Sequence, residues 1–172
     1  MGFNGIRNSP ARSRMIEILI TPELYYKAQY KSSIMGELYN SITSGEGNVA
    51  GFIGEYVVAD YIDAEVVDTY DYDLLKKDIR IDVKTKRCTS PPRPNYDCSI
   101  CGLNPNQECD EYWFVRILND YSKAWILGWY PKKEYIKDAR LYKKGDVDGK
   151  FTFHTDAYNL PISRLFTNSL QS

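Results

Sequence analysis

Histidine is almost missing from this sequence: His154 is the only one in 172 residues. Chemistries that need two or more imidazoles, such as His-rich zinc hydrolase centres or His-pair ribonuclease sites, cannot be built from this chain alone. An excess of either charge is missing too, because 22 Lys and Arg meet 23 Asp and Glu for a formal net charge of −1. A purely electrostatic nucleic-acid binder would be strongly basic, so the balance argues against that class. It leaves room for an enzyme that holds metal ions with carboxylates and phosphates with cations. Long hydrophobic runs are also lacking. The longest clean one, Ala124 to Tyr130, is far too short to span a bilayer. Arg7, Arg12 and Arg14 precede Met15 to Ile20, but that segment contains Glu17 and is too short for a signal-peptide core. These absences predict a soluble, intracellular protein.

What is present suits one folded domain. The apolar share is 43%, and a chain of this length buries roughly 70% of the surface its unfolded form exposes. Fifteen tyrosines supply amphipathic core and wall residues. Gly2, Gly5 and Pro10 break any early element, so residues 1–20 are expected to form a flexible arm ahead of a domain spanning 21–172. Thr21 as cap, Pro22 at the first helical position and Glu23 in the first turn predict a helix reaching towards Tyr39. Ser41 to Asn48 reads as a linker. Its Gly45-x-Gly47 and the later Gly51 have the wrong spacing for a dinucleotide loop, and no apolar strand leads into them. Asn48 is expected to cap a second helix from Val49 to about Ile62. Strands are predicted from Val66 towards Leu75, from Asp78 to Arg87, from Tyr112 to Leu118, from Ala124 to Tyr130 and over Phe151 to Phe153. Pro131 opens a short charged helix, and Ile162 to Leu170 reads as a terminal one. Cys88 to Asp110, rich in proline and cysteine, is expected to be an irregular insertion. The pattern gives an α/β class: a mixed central sheet flanked by helices.

The chemistry concentrates in Asp78-Ile-Arg-Ile-Asp-Val-Lys-Thr-Lys-Arg87. Strand alternation sends Ile79, Ile81 and Val83 to one face, and Arg80, Asp82, Lys84 and Lys86 to the other. If Lys77-Asp78 is a two-residue hairpin tip, Lys76 lies opposite Ile79, Asp73 faces Asp82, and Asp71 faces Lys84. Opposed carboxylates repel and call for a cation between them. On the second helix, Glu55 shares its face with Gly51, Val58, Ala59 and Ile62, with Gly54 alongside. An ionised Glu among such neighbours needs a metal or a counter-charge, for which a Lys or Arg from the sheet is the alternative.

The ordered set of Gly51-x-x-Gly-Glu55 on a helix, then Asp73, then Ile81-Asp-Val-Lys84 on a strand resembles the PD-(D/E)XK nucleases, the restriction-endonuclease-like superfamily. The likeness runs from about Val49 to Tyr130, and it departs from the literal motif where Tyr72 stands in place of proline. It implies a metal-dependent DNA nuclease, with Asp73 and Asp82 as principal Mg²⁺ or Mn²⁺ ligands. Glu55 would ligate directly or through water, and the Val83 carbonyl would add an oxygen. Lys84 would hold the attacking water or neutralise phosphate charge. Asp71 rivals Asp73 if the register slips. Cutting both strands with one small centre implies a homodimer or two successive events.

Lys86, Arg87 and Arg93 are candidate phosphate contacts. Asn104 and Gln107 are amides suited to a base edge, to orienting a catalytic group, or to ordinary turn capping. Cys88, Cys98, Cys101 and Cys109 offer either a tetrahedral structural Zn²⁺ site or four inert thiols, since Cys98-x-x-Cys101 is the one close pair. The rival class is therefore a noncatalytic, zinc-stabilised nucleic-acid-binding protein.

Overall fold

The computed structural model describes residues 14–39 and 46–167. In chain order its elements are β1 (Ile16–Leu19), α1 (Pro22–Tyr39), α2 (Glu46–Ile62), β2 (Glu65–Val66), β3 (Leu74–Lys76), β4 (Ile79–Cys88) and β5 (Asp97–Cys101). They continue with β6 (Glu111–Leu118), β7 (Lys123–Pro131), α3 (Lys132–Asp138), β8 (Arg140–Tyr142), β9 (Val147–Asp148), β10 (Phe151–Thr152) and β11 (Ala157–Pro161). This is an α/β domain around a six-stranded mixed sheet ordered β1-β7-β6-β4-β3-β2, in which β4 and β6 are parallel.

Local chemistry sets the helix ends. Thr21 Oγ1 accepts the Leu24 amide at 3.2 Å, satisfying one of the unpaired donors at the start of α1. At the far end of α2, Asp63 takes a positive φ of 56° and the Ala64 amide reaches back to the Ala59 carbonyl at 2.9 Å. That is the reversal with which helices commonly stop.

The main sheet is covered on both faces. Ile81, Trp113, Val115, Ile117, Ala124 and Ile126 pack with Ala28, Ile53, Val57 and Val58 of α1 and α2. The opposite face places Tyr112, Phe114, Trp125 and Leu127 against Ile100, Tyr135, Leu160 and Ile162. These last residues belong to a second sheet ordered β5-β11-β8, to α3 and to a 3-10 turn at Ile162–Arg164. Strand parity is reversed once. Between Phe114 and Val115 the pairing steps from Gly128 to Ile126, leaving Leu127 as the bulged residue. Beyond it Trp129 faces the helices and Tyr130 the second sheet. Gly128 sits there at φ 138°, where a Cβ would lie 2.4 Å from the Phe166 carbonyl oxygen, so only glycine fits.

Several boundaries differ from the sequence reading. Residues 16–19, expected within a flexible arm, form β1 and pair with β7 from Ile16↔Ile126 to Leu19↔Lys123, because the alternating isoleucines complete the helix-side core. The second helix begins at Glu46, ahead of Asn48. The Cys88 to Asp110 insertion is not wholly irregular, since Asp97–Cys101 pairs along β11. No terminal helix forms at Ile162; after one 3-10 turn, Phe166 makes a bridge to Trp129. Residues 1–13 of the expected arm, and the linker at 40–45, lie outside the described residues. No described helix is long and apolar enough to cross a membrane.

Candidate functional site

The candidate site arises from unequal strand lengths. β4 runs ten residues while β3 runs three, so β3 stops at Leu74 and leaves the β4 edge without a strand partner from Asp82 onward. The hairpin register is the expected one, Lys76↔Ile79 to Leu74↔Ile81. Asp73 is the residue at which the ladder ends. Its amide donates to the Ile81 carbonyl at 2.9 Å, and its Oδ2 accepts the Val83 amide at 2.8 Å. A side chain thus replaces the missing strand and fixes the Asp73 carboxylate against β4.

The loop between β2 and β3 brings a further acid. Val67 and Asp68 amides both donate to the Asp73 carbonyl, at 2.9 and 3.1 Å, and Thr69 and Tyr72 close the turn within it. Asp68 sits at φ 47°, a left-handed conformation that aspartate tolerates better than most residues. Glu55 approaches from α2, 8% exposed. The close helix approach is visible at Gly54, where an added Cβ would lie 1.9 Å from Thr85 Oγ1. As a result, carboxylate oxygens of Glu55, Asp68 and Asp73 all lie within 4.8 Å of one another.

This is not quite the expected trio. Asp82 is not one of the three; it lies on the other face of β4, 8% exposed. There Lys84 Nζ is 2.6 Å from Asp82 Oδ2, and Gln107 Nε2 donates to Asp82 Oδ1 at 3.1 Å and to the Asp71 carbonyl at 2.6 Å. Lys84 also stands 5.7 Å from the Tyr112 ring centroid. Asp73 links the two halves, being close enough for Asp82 to raise its proton affinity. Asp71, the rival ligand, is outside the cluster, and its carbonyl serves as an acceptor for Gln107.

The electrostatics show too little positive charge. Lys31 of α1 is 3.3 Å from Glu55 Oε2 and ion-pairs with Asp68 Oδ2. The counter-charge for Glu55 therefore comes from the neighbouring helix and not from the sheet. Burial pulls Lys31 downward, but the hydrogen bond to Asp68 and the charges of Glu55 and Asp68 outweigh it and hold the ammonium above its ordinary range. Even so, burial and the charge of Asp73 push Glu55 up to about 9. Burial and the charge of Asp82 lift Asp73 to about 6, against the opposing pull of the Val83 amide and Lys84. Hard oxygen donors short of a cation fit Mg²⁺ or Mn²⁺, which bind through a few carboxylates and keep several waters.

The other expected residues divide. Gln107 is drawn into the site as an orienting group for Asp82, while Asn104 caps its own turn by accepting the Asn106 amide at 2.9 Å. Buried Lys132 holds that segment, its ammonium donating to the carbonyls of Pro105, at 3.1 Å, and Gln107. Arg93 is exposed, and Lys86 and Arg87 lie further along β4. The four cysteines do not converge. Cys98 is buried and its thiol donates to the Leu160 carbonyl at 3.1 Å, whereas Cys101, three residues along the same strand, is exposed on the other face. Cys88 donates to Ile117 O at 3.5 Å, and Cys109 is buried near Asp82. No cysteine joins the one carboxylate-type ligand cluster found among the described residues. The Cys98-x-x-Cys101 pair lies within a strand, which sends its two thiols to opposite sides.

Asp68 and Lys31 were not foreseen. The only local signal for Asp68 was an acid directly after the apolar Val66-Val67, and for Lys31 nothing beyond a cation on the preceding helix. No protein-family profile matches this chain, and no curated protein matches it.

Proposed function

We propose that the chain is a metal-dependent nuclease that hydrolyses phosphodiester bonds in DNA. The observation that carries this reading is the meeting of Glu55, Asp68 and Asp73 at the open edge of β4, with the Asp82–Lys84 contact close enough for both charges to act on Asp73. Glu55, Asp68 and Asp73, whose oxygens meet, would hold the metal, with the Val83 carbonyl as a further oxygen and Asp82, outside that group but next to Asp73, acting through water. A bound Mg²⁺ or Mn²⁺ supplies Lewis-acid polarisation of the phosphate and a more acidic water.

The chain's own residues do the rest. Asp73 is fixed by the Val83 amide and Asp82 by Gln107, so both carboxylates are oriented before a ligand arrives. Lys84 carries its positive charge beside Asp82, where it can neutralise a phosphate oxygen or hold the attacking water. Lys31 balances part of the acidic charge while the metal is absent. Lys86, Arg87 and Arg93 would contact flanking phosphates without reading sequence.

The test is cleavage of supercoiled DNA with and without Mg²⁺ or Mn²⁺, comparing the native chain with Asp82→Ala and Lys84→Ala. Cleavage that needs the metal and is lost in both variants, while folding and DNA binding persist, supports the proposal. Absence of cleavage by the native chain with either metal overturns it. RNA offered at the same salt decides the polymer.

A further inference from the structure

On the face of the sheet turned away from α2, two cations stand side by side with no acid to balance them. Lys86 of β4 and Arg116 of β6 are direct partners in the parallel ladder. Arg116 is 8% exposed, and its guanidinium donates to the Asp97 carbonyl at 2.7 Å. No carboxylate among the described residues comes within ion-pair distance of either cation. The two thiols beside Arg116 do not supply the missing charge, because burial raises both Cys88 and Cys98 and keeps them protonated; the thiol facing Lys86 is the exposed Cys101. Burial, and then the charge of Arg116, holds Lys86 below its ordinary value, as expected of an uncompensated pair. Arg116, buried with the Asp97 carbonyl as its acceptor, is costly to hold there unless a counter-ion is part of the design.

A cleft of about 370 Å³ opens onto the pair. Its other walls include Arg87, Ser90, Tyr96 and Asn119. Arg87 is held in place by the Tyr121 ring, 5.1 Å from its guanidinium carbon, and by the Asn119 carbonyl at 3.1 Å. Cations and hydroxyl groups thus surround a space with no acid on its walls. That donor set matches the oxygens of a phosphate, and the planar guanidinium of Arg116 suits it better than an ammonium would.

We propose that this cleft is a phosphate-binding subsite, with Arg116 as its buried donor and Lys86 and Arg87 as its exposed ones. The ligand is a phosphate group of a nucleic-acid strand, and in that part the inference rests on the nuclease reading. Lys86 lies two positions beyond Lys84 on the same strand face, about 7 Å along β4. A strand cleaved beside Lys84 would therefore pass a flanking phosphate over the cleft.

The experiment is calorimetric titration of the full chain in EDTA with inorganic phosphate, and anisotropy with labelled oligonucleotides at fixed salt. Lys86→Gln, Arg116→Gln and the conservative Lys86→Arg are compared with the native chain. Lys86 lies on the surface, so its variants report even if Arg116→Gln does not fold. The expected result is weakening of both ligands by tenfold or more in Lys86→Gln, with recovery in Lys86→Arg. Phosphate binding that depends on Lys86, without oligonucleotide binding, keeps the subsite and overturns the strand as its source. Native binding that is absent, or unchanged in Lys86→Gln, overturns the subsite. Metal-dependent cleavage measured on the same proteins separates the two claims: a nuclease indifferent to Lys86 lacks the subsite, and a phosphate binder that never cuts lacks the nuclease.

Discussion

Replacing Asp73 by asparagine should stabilise the metal-free protein at neutral pH and leave it nearly unchanged in mild acid. In the folded chain Asp73 is lifted from 3.8 to about 6, chiefly by burial and then by Asp82. The folded state therefore keeps a proton that the unfolded chain releases, and stability falls as pH rises from about 4 to about 6. At about 1.4 kcal/mol per pH unit the full penalty is at most ~3 kcal/mol. Solvent at the rim of the site reduces it to about 1–2 kcal/mol. The Asp73→Asn side chain would keep an oxygen for the Val83 amide while removing the charge, so the comparison isolates the carboxylate. In EDTA at pH 7.5 the variant should melt roughly 3–6 °C higher than the native chain, and at pH 4 the two should coincide. Added Mg²⁺ should raise the native melting temperature and do less for the variant, because a metal replaces the missing positive charge. A variant equally destabilised at both pH values would refute the reasoning, since Asp73 would then be an ordinary ionised group held by its hydrogen bond.

Other perturbations address separate links. Asp63→Gly relieves a positive φ of 56° and removes an acid from a helix C-terminus, and should add about 0.5–1 kcal/mol in urea unfolding. Gly54→Ala places a Cβ 1.9 Å from Thr85 Oγ1 and should cost about 1–3 kcal/mol, with Gly54→Ala/Thr85→Ala recovering much of it in a double-mutant cycle. Gln107→Leu removes the amide that orients Asp82 and should lower Mg²⁺-dependent cleavage about 10- to 100-fold, with the melting temperature little changed.

The elements legible in the sequence are those decided by near neighbours. Thr21 and Pro22 mark the start of α1, and the two-residue tip at Lys77-Asp78 sets the β3–β4 register that places Asp73 at the end of the ladder. What was not legible depends on partners far along the chain. Asp97–Cys101 is a strand because Ala157–Pro161 pairs with it, and nothing inside a proline- and cysteine-rich stretch announces that. Within the polar row on β4, Asp82 is buried and held by Gln107, a residue 25 positions along the chain, while Lys86 stays exposed, and alternation alone does not separate the two. Glu55 stood out locally as an acid on an apolar helix face. Its partners Asp68 and Lys31 join it only when a tight loop and a neighbouring helix are packed against α2.

The unequal pairing of β4 also has a bearing on how the chain assembles as it is made. Lys31, Glu55, Asp68, Asp73 and Asp82 all lie within the first half of the sequence, on α1, α2 and the β3–β4 hairpin with its leading loop. The layer packed against Arg116 closes only when β11 arrives to join β5 and β8. Contacts of such wide sequence separation form late. A nascent chain would thus gather its acids before the opposite side of the sheet is fully roofed, and a truncation ahead of β11 would remove Leu160 and Ile162 from the cluster around Tyr112, Phe114 and Leu127.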